Sequence, residues 1–164
     1  MRTLFAVTAF FSLLVFAAAG VSAQDWSLKD AGVGLVIQDA DYSKTLKIAE
    51  RGVSFDLKAL YEGGALAGKY RGNQVFAAWL VGPHTDTFLN SNGLPVWNYK
   101  YTVTYPGGKT FEGGPGGFYV SGFAVVPLSI GGDTSGAWKI DWYIVNRDTG
   151  EKRHVGTSEF TTTW

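Results

Sequence analysis

The feature that most constrains the fold is an alternation over residues 138–145, in which large apolar residues alternate with Lys139, Asp141, Tyr143 and Val145. A period of two is typical of a β-strand with one buried face. The apolar positions are Trp138, Ile140, Trp142 and Ile144. Residues 148–150 follow, and Gly150 suits the left-handed position of a three-residue hairpin loop. The end of the chain therefore predicts a two-stranded hairpin.

The three-residue loop fixes which residues of the two strands face each other. It pairs Trp138 with Phe160, Lys139 with Glu159, Trp142 with Gly156 and Tyr143 with Val155. Aromatic side chains thereby meet apolar or small partners, and opposite charges meet across the strands. A slip of one residue would move Phe160 to the other face and separate Lys139 from Glu159. The pattern thus favours one register.

Apolar, alternating or β-branched runs predict further strands, about eight in all. They cover residues 32–38, 45–49, 53–61, 75–81, 97–105 and 118–128, with a short return segment at 109–112. Residues 75–81 are apolar on both faces, which indicates a central strand covered on each side. Residues 113–117 read Gly-Gly-Pro-Gly-Gly and predict a loop. No segment shows a helical period.

These strands and the turns between them predict an all-β fold, a single antiparallel β-sandwich. The sequence contains no cysteine, so no disulfide holds it together. Aromatic residues make up 15% of the chain, and a core of large rings can supply the stability instead. We expect this core to include Phe55, Trp79, Trp138, Ile140, Trp142 and Phe160.

Residues 1–23 have the pattern of a secretory signal peptide. Arg2 precedes an uncharged apolar run, and small residues end at Ala23 before Gln24. A membrane anchor is the alternative, but the run is short for a bilayer-spanning helix. We therefore expect residues 24–164 to form one domain that is secreted or periplasmic, with no stable membrane insertion after cleavage.

The charge balance argues against nucleic-acid binding. The chain has 14 Lys and Arg and 14 Asp and Glu residues, and loss of Arg2 with the signal peptide leaves a net charge of −1. Binding to a phosphate backbone needs clustered basic residues instead. The absence of cysteine also excludes thiol nucleophiles and thiolate metal sites.

The end of the chain resembles a known group of domains. Residues 136–140 (Gly-Ala-Trp-Lys-Ile) and 158–161 (Ser-Glu-Phe-Thr) are similar to the ending of immunoglobulin-like and fibronectin-type-III-like domains in small bacterial secreted proteins. The placement of Ile48, Gly52, Phe55 and Pro83 is similar as well. The resemblance implies an immunoglobulin-like β-sandwich and implies no activity.

Two groups of polar residues have spacings that occur in catalytic or metal-binding sites. His84 and Asp86 are close in sequence, and a carboxylate can orient an imidazole for catalysis or metal binding. No nucleophile motif accompanies them, and the other acidic residues are scattered through turns. Asp39 and Asp41 have calcium-loop spacing, but Lys44 stands where the sharp turn needs glycine. We expect no metal site and no cofactor.

The aromatic strand 97–105 leaves two alternatives open. Its rings on one face are Trp97, Tyr99, Tyr101 and Tyr105. Such a face usually packs into the core, whereas an exposed one would form a flat platform for sugar rings or a partner protein. Tyr42 and Trp97 lie close to turns and are candidate aromatic anchors for a ligand. There are two candidate binding loops. One is residues 84–93, which contains His84 and Asp86, and the other is residues 113–117.

Two classes of function follow from these patterns. The first is a non-catalytic secreted or periplasmic binding domain whose partner is a protein or a glycan. The alternative is a small secreted hydrolase that uses the scattered Asp and Glu residues or His84. An exposed aromatic patch would favour the first, and a cleft that holds two acids or His84 with a carboxylate would favour the second.

Overall fold

The computed structural model describes residues 26–37, 47–62, 74–130 and 134–164, which form nine strands and one short α-helix. The strands are β1 Asp30–Ile37, β2 Lys47–Gly52, β3 Ser54–Asp56, β4 Gln74–Val81, β5 Trp97–Thr104, β6 Thr110–Gly117, β7 Phe123–Pro127, β8 Gly136–Asn146 and β9 Lys152–Thr163. The helix, α1, spans Leu57–Glu62. The fold is therefore all-β in character. The predicted signal peptide and Tyr42 lie outside the described residues.

The strands form two sheets. The first has the order β2-β1-β4-β7, and the second has the order β3-β9-β8-β5-β6. The pairings are antiparallel except that β3 runs parallel to β9. The described residues thus form nine strands where about eight were expected, and the expectation of antiparallel pairing was wrong for β3 and β9. Side-chain alternation carries no information on strand direction, so the parallel pair could not be read from the sequence.

The inner faces of the two sheets share one hydrophobic core. Phe76 of β4 shows how they meet, since its ring lies 4.9 Å from that of Phe55 and 6.4 Å from that of Phe160. Five side chains expected in the core are at most 4% exposed: Phe55, Trp138, Ile140, Trp142 and Phe160. The sheets therefore pack face to face.

Trp79 is fully buried, but on the other face of β4. It forms a second cluster with Val36 and Ala77. Its indole N–H donates a hydrogen bond to Asp30 (3.1 Å), and the guanidinium of Arg51 lies 5.6 Å from its ring centre. Because β4 lies between β1 and β7 and is buried on both faces, its apolar run indicated a central strand correctly.

The register of the terminal hairpin is as predicted away from the loop and differs near it. Trp138 faces Phe160, and Lys139 faces Glu159. Beyond Trp142 the register shifts, so that Tyr143 faces His154 instead of Val155. The loop is one residue longer than predicted, and Val155 forms a bulge in β9. These two differences offset each other, so the predicted pairs from Trp138 to Trp142 are retained.

The turn geometry shows the longer loop directly. The backbone N–H of Asn146 bonds to the carbonyl of Glu151, and that of Gly150 bonds to the carbonyl of Asn146, both at 2.9 Å. Residues 147–150 therefore form a four-residue loop. Gly150 has a φ of +73°, which agrees with the left-handed conformation expected of it.

Two hydroxyl groups of β9 accept hydrogen bonds from the buried indole N–H groups of β8. Trp138 donates to Thr162 (2.9 Å), and Trp142 donates to Ser158 (3.0 Å). Both hydroxyl side chains are buried in an otherwise apolar core. An indole N–H left without a partner there would cost about 1–3 kcal/mol; Ser158 prevents this for Trp142, and Thr162 does so for Trp138 together with the carbonyl of Thr134 (3.2 Å).

The predicted strand over residues 53–61 ends early in the structure. Only β3 is extended, and α1 follows it directly. The carboxylate of Asp56 accepts a hydrogen bond from the backbone N–H of Ala59 (2.9 Å), which caps the helix. Leu57 and Leu60 are buried three residues apart on one helical face. Among the described residues, no helix is long and apolar enough to span a bilayer.

The stacked pair Trp138–Phe160 gives a stability prediction. Their ring centres lie 5.3 Å apart with an interplanar angle of 15°, and Trp138 is 2% exposed. We expect Trp138→Ala to lower the free energy of unfolding by about 3–5 kcal/mol, because it leaves a cavity in the core. The control is Trp164→Ala, since Trp164 is 59% exposed. Equal losses in urea denaturation for the two variants would contradict the assigned packing.

Candidate functional site

His84 and Trp97 come together in the structure, but the cleft between them is very small. It has a volume of about 10 Å³, and its lining includes Trp26 and Phe118. A single water molecule needs about that much space. Trp97 is 6% exposed, so its ring belongs to the core. The cleft therefore has no room for an organic substrate.

Asp86 does not complete a catalytic pair with His84 in this cleft. It lies in a 3₁₀ turn, Thr85–Thr87, and both His84 and Asp86 are exposed. Asp86 is not among the residues that line the cleft. The arrangement therefore gives no carboxylate that orients the imidazole towards a bound molecule.

A cluster of polar side chains that was not predicted lies on the outer face of β8 and β9. Asp141 accepts a hydrogen bond from the hydroxyl of Thr157 (2.7 Å) and lies 3.0 Å from the Lys139 ammonium. His154 Nε2 lies 3.4 Å from Asp141 and 3.3 Å from Thr157. The carboxylate, the imidazole and the hydroxyl group therefore lie within 3.4 Å of one another.

The geometry of this cluster differs from that of a nucleophilic triad. In a triad the carboxylate holds one imidazole nitrogen while the other nitrogen faces the hydroxyl. Here Asp141 and Thr157 both approach Nε2 of His154, and Thr157 donates directly to Asp141. Within the described residues, no three His, Asp or Glu side chains are grouped to hold a metal ion. The cluster links neighbouring strands.

The environment of Asp141 favours its ionised form. Burial opposes ionisation, but the hydrogen bonds from Thr157, Lys139 and His154 outweigh it, and the pKa of the carboxyl is lowered. The hydrogen bond to Asp141 in turn raises the pKa of Lys139. The carboxylate is therefore charged at neutral pH.

The lowered pKa of Asp141 predicts an acid dependence of stability. A carboxyl whose pKa falls on folding stabilises the fold above the unfolded-state pKa, and this contribution is lost as the pH falls through the folded-state pKa. We expect Asp141→Asn to cost about 1 kcal/mol at neutral pH. Its difference from wild type should shrink below about pH 4.

Urea denaturation at several pH values measures this effect. Thr157→Val removes one of the hydrogen bonds to Asp141 and should reproduce part of the change. If Asp141→Asn differs from wild type by the same amount at neutral and at acid pH, ionised Asp141 contributes nothing to stability.

A row of four aromatic rings lies at the margin of the core, and we call it the aromatic shelf. It consists of Tyr99 and Tyr101 of β5, Phe111 of β6 and Phe118 in the β6–β7 connection. Neighbouring ring centres lie 5.5 Å (Phe118–Tyr99), 6.4 Å (Tyr99–Tyr101) and 6.3 Å (Tyr101–Phe111) apart. Phe111 is 53% exposed, and the other three are partly exposed. The strand is thus neither wholly core nor a separate platform.

Glycines of β6 lie against the two tyrosine rings. A Cβ added at Gly113 would collide with the phenol end of Tyr101, and one added at Gly116 would collide with that of Tyr99. The prediction of a loop at residues 113–117 was therefore wrong, because β6 runs through Gly117 and pairs with β5. These glycines accommodate rings from the neighbouring strand.

A bulge in β6 brings both glycines beneath the rings. Gly113 faces Tyr101 and Gly116 faces Tyr99, so three residues of β6 span the same distance as two of β5. Without the extra residue, Gly113 and Gly116 would point to opposite faces. The bulge therefore places both on the face of the shelf.

The shelf carries no charge at neutral pH. Burial, with a smaller effect of neighbouring phenols, raises the pKa of Tyr99 and of Tyr101. The charged side chains within β5 and β6 are Lys100 and Glu112, which alternate with the shelf residues and belong to the opposite face. The shelf is thus a neutral, largely aromatic surface.

The contact between Gly113 and Tyr101 can be tested by a single added methyl group. We expect Gly113→Ala to displace the ring of Tyr101 and to lower the free energy of unfolding by about 1–3 kcal/mol, as overpacking does. Gly117→Ala is the matched control, because nothing lies within 4 Å of a Cβ there. Near-UV circular dichroism and urea denaturation measure both effects. Equal spectra and equal stability of the two variants would show that the ring does not lie on Gly113.

A larger groove, of about 520 Å³, lies elsewhere on the second sheet. Its lining includes Val53, Ala137 and Thr161, with Lys139 and Glu159 as its charged groups. Those two face each other across β8 and β9, but the ion pair of Lys139 is with Asp141 (3.0 Å). A groove of this size can hold a small molecule, but it shows no converging set of polar groups.

No protein-family model, curated protein or solved structure matches the chain. Function therefore has to be inferred from the chain's own residues. The aromatic shelf is a described surface on which four partly exposed aromatic rings are contiguous.

Proposed function

We propose that this chain is a non-catalytic binding domain, secreted or periplasmic, that contacts a protein or a glycan through the aromatic shelf. The observation that carries the proposal is the row of partly exposed rings from Phe118 to Phe111 on a neutral surface. Contiguous exposed aromatic side chains are typical of recognition surfaces. Tyrosine suits such a surface because its ring is apolar and its hydroxyl tolerates water.

The fold proposed for this domain is an immunoglobulin-like β-sandwich. Two sheets that pack over one core support it, as does the similarity of residues 136–140 and 158–161 to the ending of such domains. The signal-peptide pattern of residues 1–23 supports the extracytoplasmic location.

The hydrolase alternative draws less support from the described residues. His84 lies at a cleft that is too small for a substrate. Asp141, His154 and Thr157 lack the geometry of a triad. A rigid sandwich that presents an aromatic surface needs neither group for binding.

Binding by the 24–164 chain to a glycan array and to a peptide array tests the proposal. We expect signal on one array, and Phe111→Ala should reduce it about tenfold because an exposed ring of the shelf is lost. Trp164→Ala is the control, since Trp164 is a similarly exposed aromatic residue that follows β9, outside the shelf. No signal on either array, or full signal with Phe111→Ala, would refute binding through the shelf.

A further inference from the structure

We infer that the ligand of the aromatic shelf is a neutral polysaccharide chain, whose sugar rings stack on Tyr99 and Tyr101. This inference rests on the proposed binding function and narrows it to one chemical class. Shape, charge and the state of the neighbouring strand edge each point to this ligand.

The shelf is a row of rings with two nearly parallel tyrosines at its centre. The rings of Tyr99 and Tyr101 are inclined by only 21° to each other, and their phenol ends lie against Gly116 and Gly113. Because glycine has no side chain, neither residue can form a wall beside the rings. A row of rings suits a chain of repeating units that lies along it, and the C–H faces of pyranose rings are apolar enough to stack on aromatic rings.

The charge of the shelf selects among polysaccharides. Neither Lys100 nor Glu112 belongs to the face of the shelf. None of the four shelf residues offers a cation to the carboxylates of an acidic polysaccharide, so the desolvation of these carboxylates against the rings would go uncompensated. A neutral sugar presents hydroxyl groups, and phenol hydroxyls can both donate hydrogen bonds to them and accept hydrogen bonds from them.

The free edge of β6 argues against a peptide as the ligand. Peptides often bind by adding a strand to an exposed sheet edge, and β6 is the last strand of its sheet. However, Pro115 has no backbone N–H to offer, and Gly114 has a φ of +88°, outside strand geometry. Both residues interrupt the hydrogen-bonding edge. A ligand would therefore have to bind through the ring faces, and a sugar chain can do so without backbone hydrogen bonds to the strand edge.

Affinity electrophoresis of the 24–164 chain tests the inference. The gels contain glucomannan or hydroxyethylcellulose as neutral probes and polygalacturonate as the acidic probe. We expect retardation by at least one neutral probe and none by polygalacturonate. The retardation should persist in about 1 M sodium chloride, because screening does not weaken stacking between neutral groups.

Variants assign the binding to the shelf. We expect Phe111→Ala to weaken the retardation about tenfold, as the loss of a stacking ring does. Gly113→Ala should weaken it because it moves Tyr101, whereas Gly117→Ala and Trp164→Ala should bind as wild type does. Phe111 is more than half exposed, so its variant keeps the result interpretable if Gly113→Ala fails to fold.

The possible outcomes distinguish a failure of the proposed binding function from a wrong choice of ligand. Retardation by neutral probes that Phe111→Ala weakens supports both. Binding on a peptide array that Phe111→Ala abolishes, with no retardation by the neutral probes, refutes the sugar ligand and keeps the binding function. Retardation by polygalacturonate alone also refutes the neutral ligand. Retardation that survives both Phe111→Ala and Gly113→Ala refutes the shelf as the site.

Discussion

The hydrogen bonds from two buried indoles of β8 to two hydroxyl groups of β9 favour one register between these strands. Trp138 and Trp142 each donate to the β9 residue two positions beyond the one directly opposite, which is Thr162 in one case and Ser158 in the other. A slip of one residue would turn both hydroxyls to the outer face. The buried N–H of Trp142 would then lack a partner, at a cost of about 1–3 kcal/mol, and Trp138 would keep only its bond to the carbonyl of Thr134 (3.2 Å). The same slip would carry Phe160 to the outer face, so hydrogen bonding and apolar packing favour the same register.

The sequence predicted those parts of the fold in which side-chain alternation is the decisive signal. The pairing of Trp138 with Phe160 follows from alternation and charge matching. Near the loop, the bulge at Val155 and the longer loop compensate each other, so the pattern beyond them is unchanged and reveals neither. The helix α1 was missed for a related reason, because a six-residue segment is too short to show a clear period. Asp56, as a capping residue, was the available signal.

The candidate site was harder to predict because its geometry is not local. Glycine usually marks a turn, and nothing within residues 113–117 shows that rings from β5 occupy the space above Gly113 and Gly116. The bulge that puts these two residues on one face is likewise invisible in a single strand. His84 and Asp86, chosen because they are neighbours in sequence, do not converge on a cavity in the fold. Aromatic alternation in residues 97–105 did mark the correct strand.

The register of the core also determines how rigid the shelf is. Ser158 fixes the indole of Trp142, and the ring of Tyr101 lies 6.0 Å from Trp142 on one side and against Gly113 on another. Tyr101 is therefore held from two directions before any ligand arrives. A surface fixed in advance loses little side-chain entropy on binding. On the proposed function, Trp142 contributes to binding through Tyr101 while it remains fully buried.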